Sequence, residues 1–225
     1  LSGALAATSS ISVVEPDPEN LGACKRLSQG LSFYSSTRDV PKNIGFDTAI
    51  IATTAFSRLD HLHSVIDLGV TNILAEKPLE QSRARTRQFI AAAMDRGVNV
   101  WCNHYRRTLH GFDSLRAAGG PFFISVSSGA MGLAVHGIHW IDFALYITGQ
   151  KSGQLLYGEI DTTVIKSGRG TQYRDYGGRG VFGFADGSRL FLSCSAVSSA
   201  PTTFSIVSPN QHWLVDQDLD RAFVH

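Results

Sequence analysis

The sequence predicts an α/β fold in two parts. A doubly wound parallel sheet is expected over residues 1–104, and residues 105–225 are expected to form an α+β region with a large, mainly antiparallel open sheet. Three observations carry this. Between Ile11 and Asn103, short apolar runs alternate with amphipathic stretches, the strand–helix rhythm of right-handed parallel crossovers. Beyond Asn103 the helical patterns thin out, and strand patterns punctuated by turn signals take over. The third is Asn72–Pro78, N-I-L-A-E-K-P, a buried apolar run ending in a charged pair. Pro78 disfavours helix at Lys77 and so holds it at the carboxyl end of a strand, the edge where open α/β sheets bind ligands. Taken alone, E-K-P reads better as a solvated Glu-Lys pair capping a strand, and the context on either side decides between the two.

The chain has 225 residues, 43% of them hydrophobic and 17% charged, with a formal net charge of +1. That balance suits a globular protein and gives no nucleic-acid footprint or membrane-surface field. Arg83, Arg85 and Arg87 scatter around a helix at two-residue spacing and read as solvated. No stretch approaches the roughly 18 apolar residues of a membrane helix, and no signal-peptide pattern is read at the start. Cys24, Cys102 and Cys194 are odd in number and far apart, so no disulfide framework is expected. They suit a reducing compartment, hence a cytoplasmic protein, as small core residues.

Leu1–Ser10 reads as the last turns of a helix and a turn. Ile11–Val14 is a strand, followed by Glu15-Pro-Asp17-Pro18, where Asp17 caps a helix over Glu19–Gln29 and Pro18 takes its first position. An acid at a strand tip is what a dinucleotide-binding fold uses to hold ribose hydroxyls, about 20 residues after a glycine-rich loop. If Glu15 has this role, that loop and the first strand lie upstream of Leu1 and the chain is a fragment. On this segment alone, a turn acid beside two prolines accounts for Glu15 equally well. Leu31–Tyr34 and Thr48–Thr53 are the next strands. Ser57, with Asp60 as capping partner, opens a helix whose apolar face is Leu59, Leu62, Val65 and Ile66 and which Gly69 closes. After Asn72–Pro78, Ser82 caps a helix bearing Phe89, Ile90, Ala93 and Met94 and closed by Gly97, and Val98–Asn103 is a strand.

Further along, a short helix over Phe112–Ala118 leads to strand Phe122–Ser128 and helix His136–Ile147. Strand patterns follow at Leu155–Lys166, Gly180–Phe184, Arg189–Val197, Thr202–Ser208 and His212–Asp216. Asp186-Gly187 is a hairpin signal and Pro209-Asn210 a second turn. The glycine- and arginine-rich Lys166–Gly180 reads as a hairpin loop, not a phosphate cradle, because no helix follows it. The abrupt end at His225 suggests an incomplete second domain.

In combination, E-P-D-P after one strand, A-T-T-A after another, E-K-P, N-H-Y-R-R and then H-G-I-H-W-I-D resemble the Gfo/Idh/MocA group of glucose–fructose oxidoreductase and inositol dehydrogenase relatives. The resemblance covers most of the chain. It implies an N-terminal Rossmann domain binding NAD or NADP, and a C-terminal substrate domain that forms a homodimer or homotetramer through its open sheet. It also implies hydride exchange with a sugar-like or cyclitol alcohol or carbonyl. Carried over by residue, Lys77 matches the active-site lysine and Glu76 its cofactor-side neighbour. Ala52, Thr53 and Thr54 match the loop along the cofactor, Asn103 and His104 the segment facing the nicotinamide, and His139 the family histidine, with Asp142 beside it. Two departures stand out. Val135 lies where the family has an Asp four residues before the histidine, so that His136 would have to supply part of the relay. Thr54 replaces a proline, and the histidine often found after that loop falls near Arg58 or Leu59.

The chemistry asks for a cofactor place and a group that manages the hydroxyl proton. Lys77 would polarise the substrate oxygen, and His139, helped by His136, would exchange the proton. Glu15 favours NAD by repelling a 2′-phosphate. His136 and His139 share a helix face, but without a third ligand of matching spacing no metal is expected. Trp140 and Phe143 read as core aromatics. Two other readings remain: a non-catalytic sensor or scaffold of this fold, which Val135 favours and the retention of Lys77 and His139 disfavours, or an enzyme using the cofactor transiently for elimination or glycoside cleavage.

Overall fold

A computed structural model describes residues 10–27, 30–108, 111–129, 132–166, 173–195, 197–216 and 221–224. The expected helical turns over Leu1–Ser10 lie almost wholly outside these residues, as does the end of the first helix at Gln29. The chain divides into two compact units, Leu1–Asn103 and His104–His225.

In the first unit, β1 (Ser12–Val14) pairs in parallel with β2 (Ser32–Tyr34). Between them runs α1 (Pro18–Leu27), whose first amides, those of Glu19 and Asn20, donate to the Asp17 Oδ1 cap at 2.9 and 3.0 Å. A second parallel sheet holds β3 (Thr48–Ile51), β4 (Asn72–Glu76) and β5 (Asn99–Asn103) in that order. The two sheets are separate in their hydrogen bonding. In the Rossmann strand order, the strand carrying the glycine loop lies between two such groups. Helices α2 (Arg58–Asp67) and α3 (Arg83–Asp95) bury Leu59, Leu62, Val65, Phe89 and Ala93 against Ile51, Ile73 and Ala75. Ser82 caps α3 through the Arg85 amide. Ser57 sits at the N-cap of α2 but makes no side-chain cap bond: its φ of −111° and ψ of 7° depart from the extended backbone of an N-cap.

The second unit is a seven-stranded sheet in the order β12-β11-β10-β6-β9-β8-β7. Its strands are β6 (Phe123–Gly129), β7 (Gln154–Lys166), β8 (Arg174–Gly183), β9 (Arg189–Ser195), β10 (Thr203–Val207), β11 (His212–Asp216) and β12 (Arg221–Val224). All neighbours are antiparallel except β6 with β9. Lys166–Gly180, expected as a loop, is strand from Arg174 onward, and residues 167–172 are outside the description. Partners on both sides, β7 and β9, satisfy the β8 backbone and outweigh the weak strand preference of its glycines. Asp186-Gly187 makes the β8–β9 turn, with Gly187 at φ 90°. Helices α4 (Phe112–Ala118) and α5 (Ile138–Thr148) bury Phe112, Leu115, Trp140, Phe143 and Ile147 against Ile124, Leu190 and Phe204 of the sheet. The expected helix from His136 begins instead as one π turn, Leu133–Gly137, before α5.

Candidate functional site

In the first unit, the parallel register sets the ends of three neighbouring strands side by side. Ile51 pairs with Ala75, and Glu76 with Asn103. Ala52, Thr53 and Thr54 follow β3, Glu76 ends β4 and Lys77 comes next, so these residues with Asn103 lie along one sheet edge. The Asn103 amide Nδ2 donates to Glu76 Oε1 at 2.6 Å, which ties the β5 tip to β4. Lys77 is 6% exposed, far more buried than a lysine capping a strand in water. The Lys77–Pro78 peptide is cis. Thr53 Oγ1 is buried and has no hydrogen-bond partner among the described residues. A buried hydroxyl left this way at a ligand-binding sheet edge fits a bound polar group.

Glu15 lies at the end of β1 in the other sheet, half-buried, with Oε1 accepting from the Asp17 amide at 2.9 Å. The ladder does not join it to the Lys77 edge. The G-x-G-x-x-G spacing at Gly178, Gly180 and Gly183 falls inside antiparallel β8, with no helix N-terminus to receive a phosphate.

The same edge shows a residue that motif reading left without a role. Arg58, 1% exposed, donates from Nη1 to the carbonyls of Glu76 and Pro78 and from Nη2 to the carbonyl of Thr53. The available signal was an arginine in the first turn of an apolar helix face.

In the second unit, His139 is 6% exposed on α5 and sits at the centre of a ring cluster. His104 meets it edge-on at 5.8 Å between centroids, Tyr105 at 5.4 Å, and His136 tilts over it at 6.4 Å. Asp142, one turn further along α5 and buried, accepts from Arg107 Nε at 2.8 Å and Nη2 at 2.5 Å. Its Oδ2 also lies 3.7 Å from His104 Nδ1. The Asp142 hydrogen bond pushes the Arg107 guanidinium above its ordinary pKa, against the smaller opposing effect of burial. Arg106 turns the other way, its carbon 4.1 Å over the Trp140 ring, and burial lowers its pKa. Trp140 and Phe143 are fully buried, as core aromatics should be.

Val135 holds no acid, yet a carboxylate serves its backbone. Asp175 of β8, 4% exposed, accepts from the amides of Ala134 at 2.8 Å and Val135 at 3.1 Å. It thereby holds the turn that leads into the His136–His139 helix. Gly132 is the residue that makes room, since a Cβ there would stand 1.8 Å from the Asp175 Cγ. Among the described residues, no three His, Cys, Asp or Glu side chains cluster closely enough to hold a metal ion. None of the three cysteines is in a disulfide.

Residues 4–104 match the family model described as an oxidoreductase family with an NAD-binding Rossmann fold. Over this segment, the chain is similar to the Gfo/Idh/MocA oxidoreductase family. No protein of curated function matches the sequence. Among solved structures, the fold resembles the WlbA dehydrogenase from Bordetella pertussis, solved with NADH and UDP-GlcNAcA. The two share 14% identity with a TM-score of 0.76, over 98% of this chain and 76% of that one. GenD2 from gentamicin A biosynthesis, solved with NAD, aligns at 17% identity and a TM-score of 0.72, over 95% of this chain and 64% of that one. The MviM dehydrogenase from Clostridium difficile aligns at 12% identity and a TM-score of 0.67, over 92% and 69%. These identities show shared fold. No helix among the described residues is long and apolar enough to cross a membrane.

Proposed function

We propose that this chain is a nicotinamide-dependent oxidoreductase acting on a carbinol or carbonyl carbon of a sugar or cyclitol derivative. The observation that carries the reading is Lys77, a buried lysine at the end of a Rossmann strand beside the orphaned Thr53 hydroxyl. Thr53, Thr54, Ala52, Glu76 and Asn103 would line the cofactor edge, with His104 towards the nicotinamide. Glu15 would hold ribose hydroxyls and repel a 2′-phosphate, favouring NAD over NADP. When bound, the nicotinamide would supply hydride exchange with the carbinol carbon. Lys77 would donate a hydrogen bond to the substrate oxygen and stabilise the charge that develops on it. His139 would take the hydroxyl proton on oxidation and return it on reduction, with His136 as the neighbouring relay. The UDP-sugar acid bound by the Bordetella pertussis relative supports a sugar-like substrate. A row of exposed apolar side chains on the large sheet, Phe191, Leu214 and Phe223, supports pairing of that face with a second copy, as dimer or tetramer. Three cysteines outside any disulfide suit a cytoplasmic setting.

The test is to titrate NADH and NADPH against the purified chain by fluorescence. Reduced-nicotinamide absorbance is then followed with NAD and a panel of free sugars, cyclitols and UDP-sugars. The reading predicts tighter binding of NADH than NADPH, and an absorbance rise with at least one carbinol. Saturable binding of neither cofactor would overturn it.

A further inference from the structure

Arg58 is the most deeply buried charge of the first unit, at 1% exposure. Burying a guanidinium is costly unless its protons find acceptors. Here they are the backbone carbonyls of Glu76, at 2.7 Å, Pro78 and Thr53. Two of these acceptors flank Lys77 directly in the chain, and the third lies in the loop after β3. The planar guanidinium carries five donors in a fixed fork, so one side chain can set the spacing of separate backbone segments. A lysine, with its donors on one atom at the end of a flexible stem, cannot serve carbonyls on both sides in this way. The anchoring end is rigid, because Leu59, Leu62 and Val65 of the same helix are buried in the core.

We infer that Arg58 is a positioning residue for Lys77, clamping the backbone on both sides of it and fixing it relative to the Thr53 loop. This rests on the reading of Lys77 as the group that polarises the substrate oxygen. The clamp fixes where the ammonium stands, and misplacement by about 1 Å can cost roughly a hundredfold in rate.

The test uses the full chain with Arg58→Lys and Arg58→Met. Acetylation of Lys77 by acetic anhydride, followed against pH by mass spectrometry, needs neither cofactor nor substrate, with exposed Lys25 and Lys42 as references. The clamp predicts a change of about fivefold or more in the relative labelling rate of Lys77 in both variants. NADH affinity should weaken less than kcat falls, and kcat should fall more than KM changes. Labelling of Lys77 at the wild-type rate in a folded Arg58→Lys chain would overturn the inference. Uniform labelling of Lys25, Lys42 and Lys77 in Arg58→Lys would overturn it too, since Arg58 would then be needed for folding itself. A wild-type chain that turns over no carbinol would sink the oxidoreductase reading alone, because the labelling result does not depend on turnover.

Discussion

The two units hold their candidate residues by different means. Around Lys77 the chain relies on main chain: three strand tips in parallel register and a buried guanidinium spread over three carbonyls. Around His139 it relies on side chains: rings in edge contact, a bidentate Arg107–Asp142 pair and the Asp175 carboxylate reaching from β8. A main-chain scaffold tolerates many changes in its side chains but fails sharply when the Arg58 clamp is removed. A side-chain cluster fails piecemeal, one partner at a time.

Mutation should expose that difference. The largest loss of stability is expected for Arg58→Met, which strands three partly buried carbonyls at once and should cost about 3 kcal/mol; urea unfolding measures it. A loss below about 1 kcal/mol would mean that the carbonyls find other donors. Asp175→Ala removes the acceptor of three amides, those of Ala134, Val135 and Tyr176, and should cost about 2 kcal/mol in the same measurement. It should also shift the Ala134 and Val135 amide resonances while leaving Lys77 labelling unchanged. Arg107→Ala should cost about 1 kcal/mol, since Arg107 is half exposed although Asp142 is buried. An equal loss from Arg107→Ala and Asp175→Ala would erase the distinction between a buried and a half-exposed partner.

The smallest effect is a pH dependence. Burial pushes the Cys194 thiol from 9.0 to about 11, with the Asp175 charge adding to it. The raised value favours the neutral thiol in the folded chain. Its contribution is therefore complete below about pH 9 and is lost as pH rises towards about 11. Urea midpoints at about pH 8 and about pH 10 should differ more in the wild type than in Cys194→Ala. An equal difference in both would assign the pH dependence to other groups.

Local signals made the first unit legible. Pro78 after Lys77, Asp17 before Pro18 and the apolar stripe Leu59–Leu62–Val65 each specify structure within a few residues, and each element appeared where its pattern lay. The capping box expected at Ser57 failed because the chain enters α2 in a conformation a propensity argument does not see. The second unit hid more. The first part of β8, from Arg174 up to Gly180, is expected as loop because its glycines carry no strand signal, and only its neighbours β7 and β9 make it a strand. Asp175, 41 residues from the Ala134 amide it serves, could not be found from spacing. Arg58 lay where the resemblance already departed from its family, but nothing local said that it would reach 18 and 20 residues ahead to the carbonyls around Lys77.

The central claim is that Lys77 is the chemical group of a nicotinamide-dependent oxidoreductase. Its most direct test measures NADH binding and carbinol turnover in parallel for wild type and Lys77→Ala. The account predicts equal cofactor affinity within about twofold, with turnover lost by a factor on the order of a hundred or more in the variant. Full turnover in Lys77→Ala would contradict it.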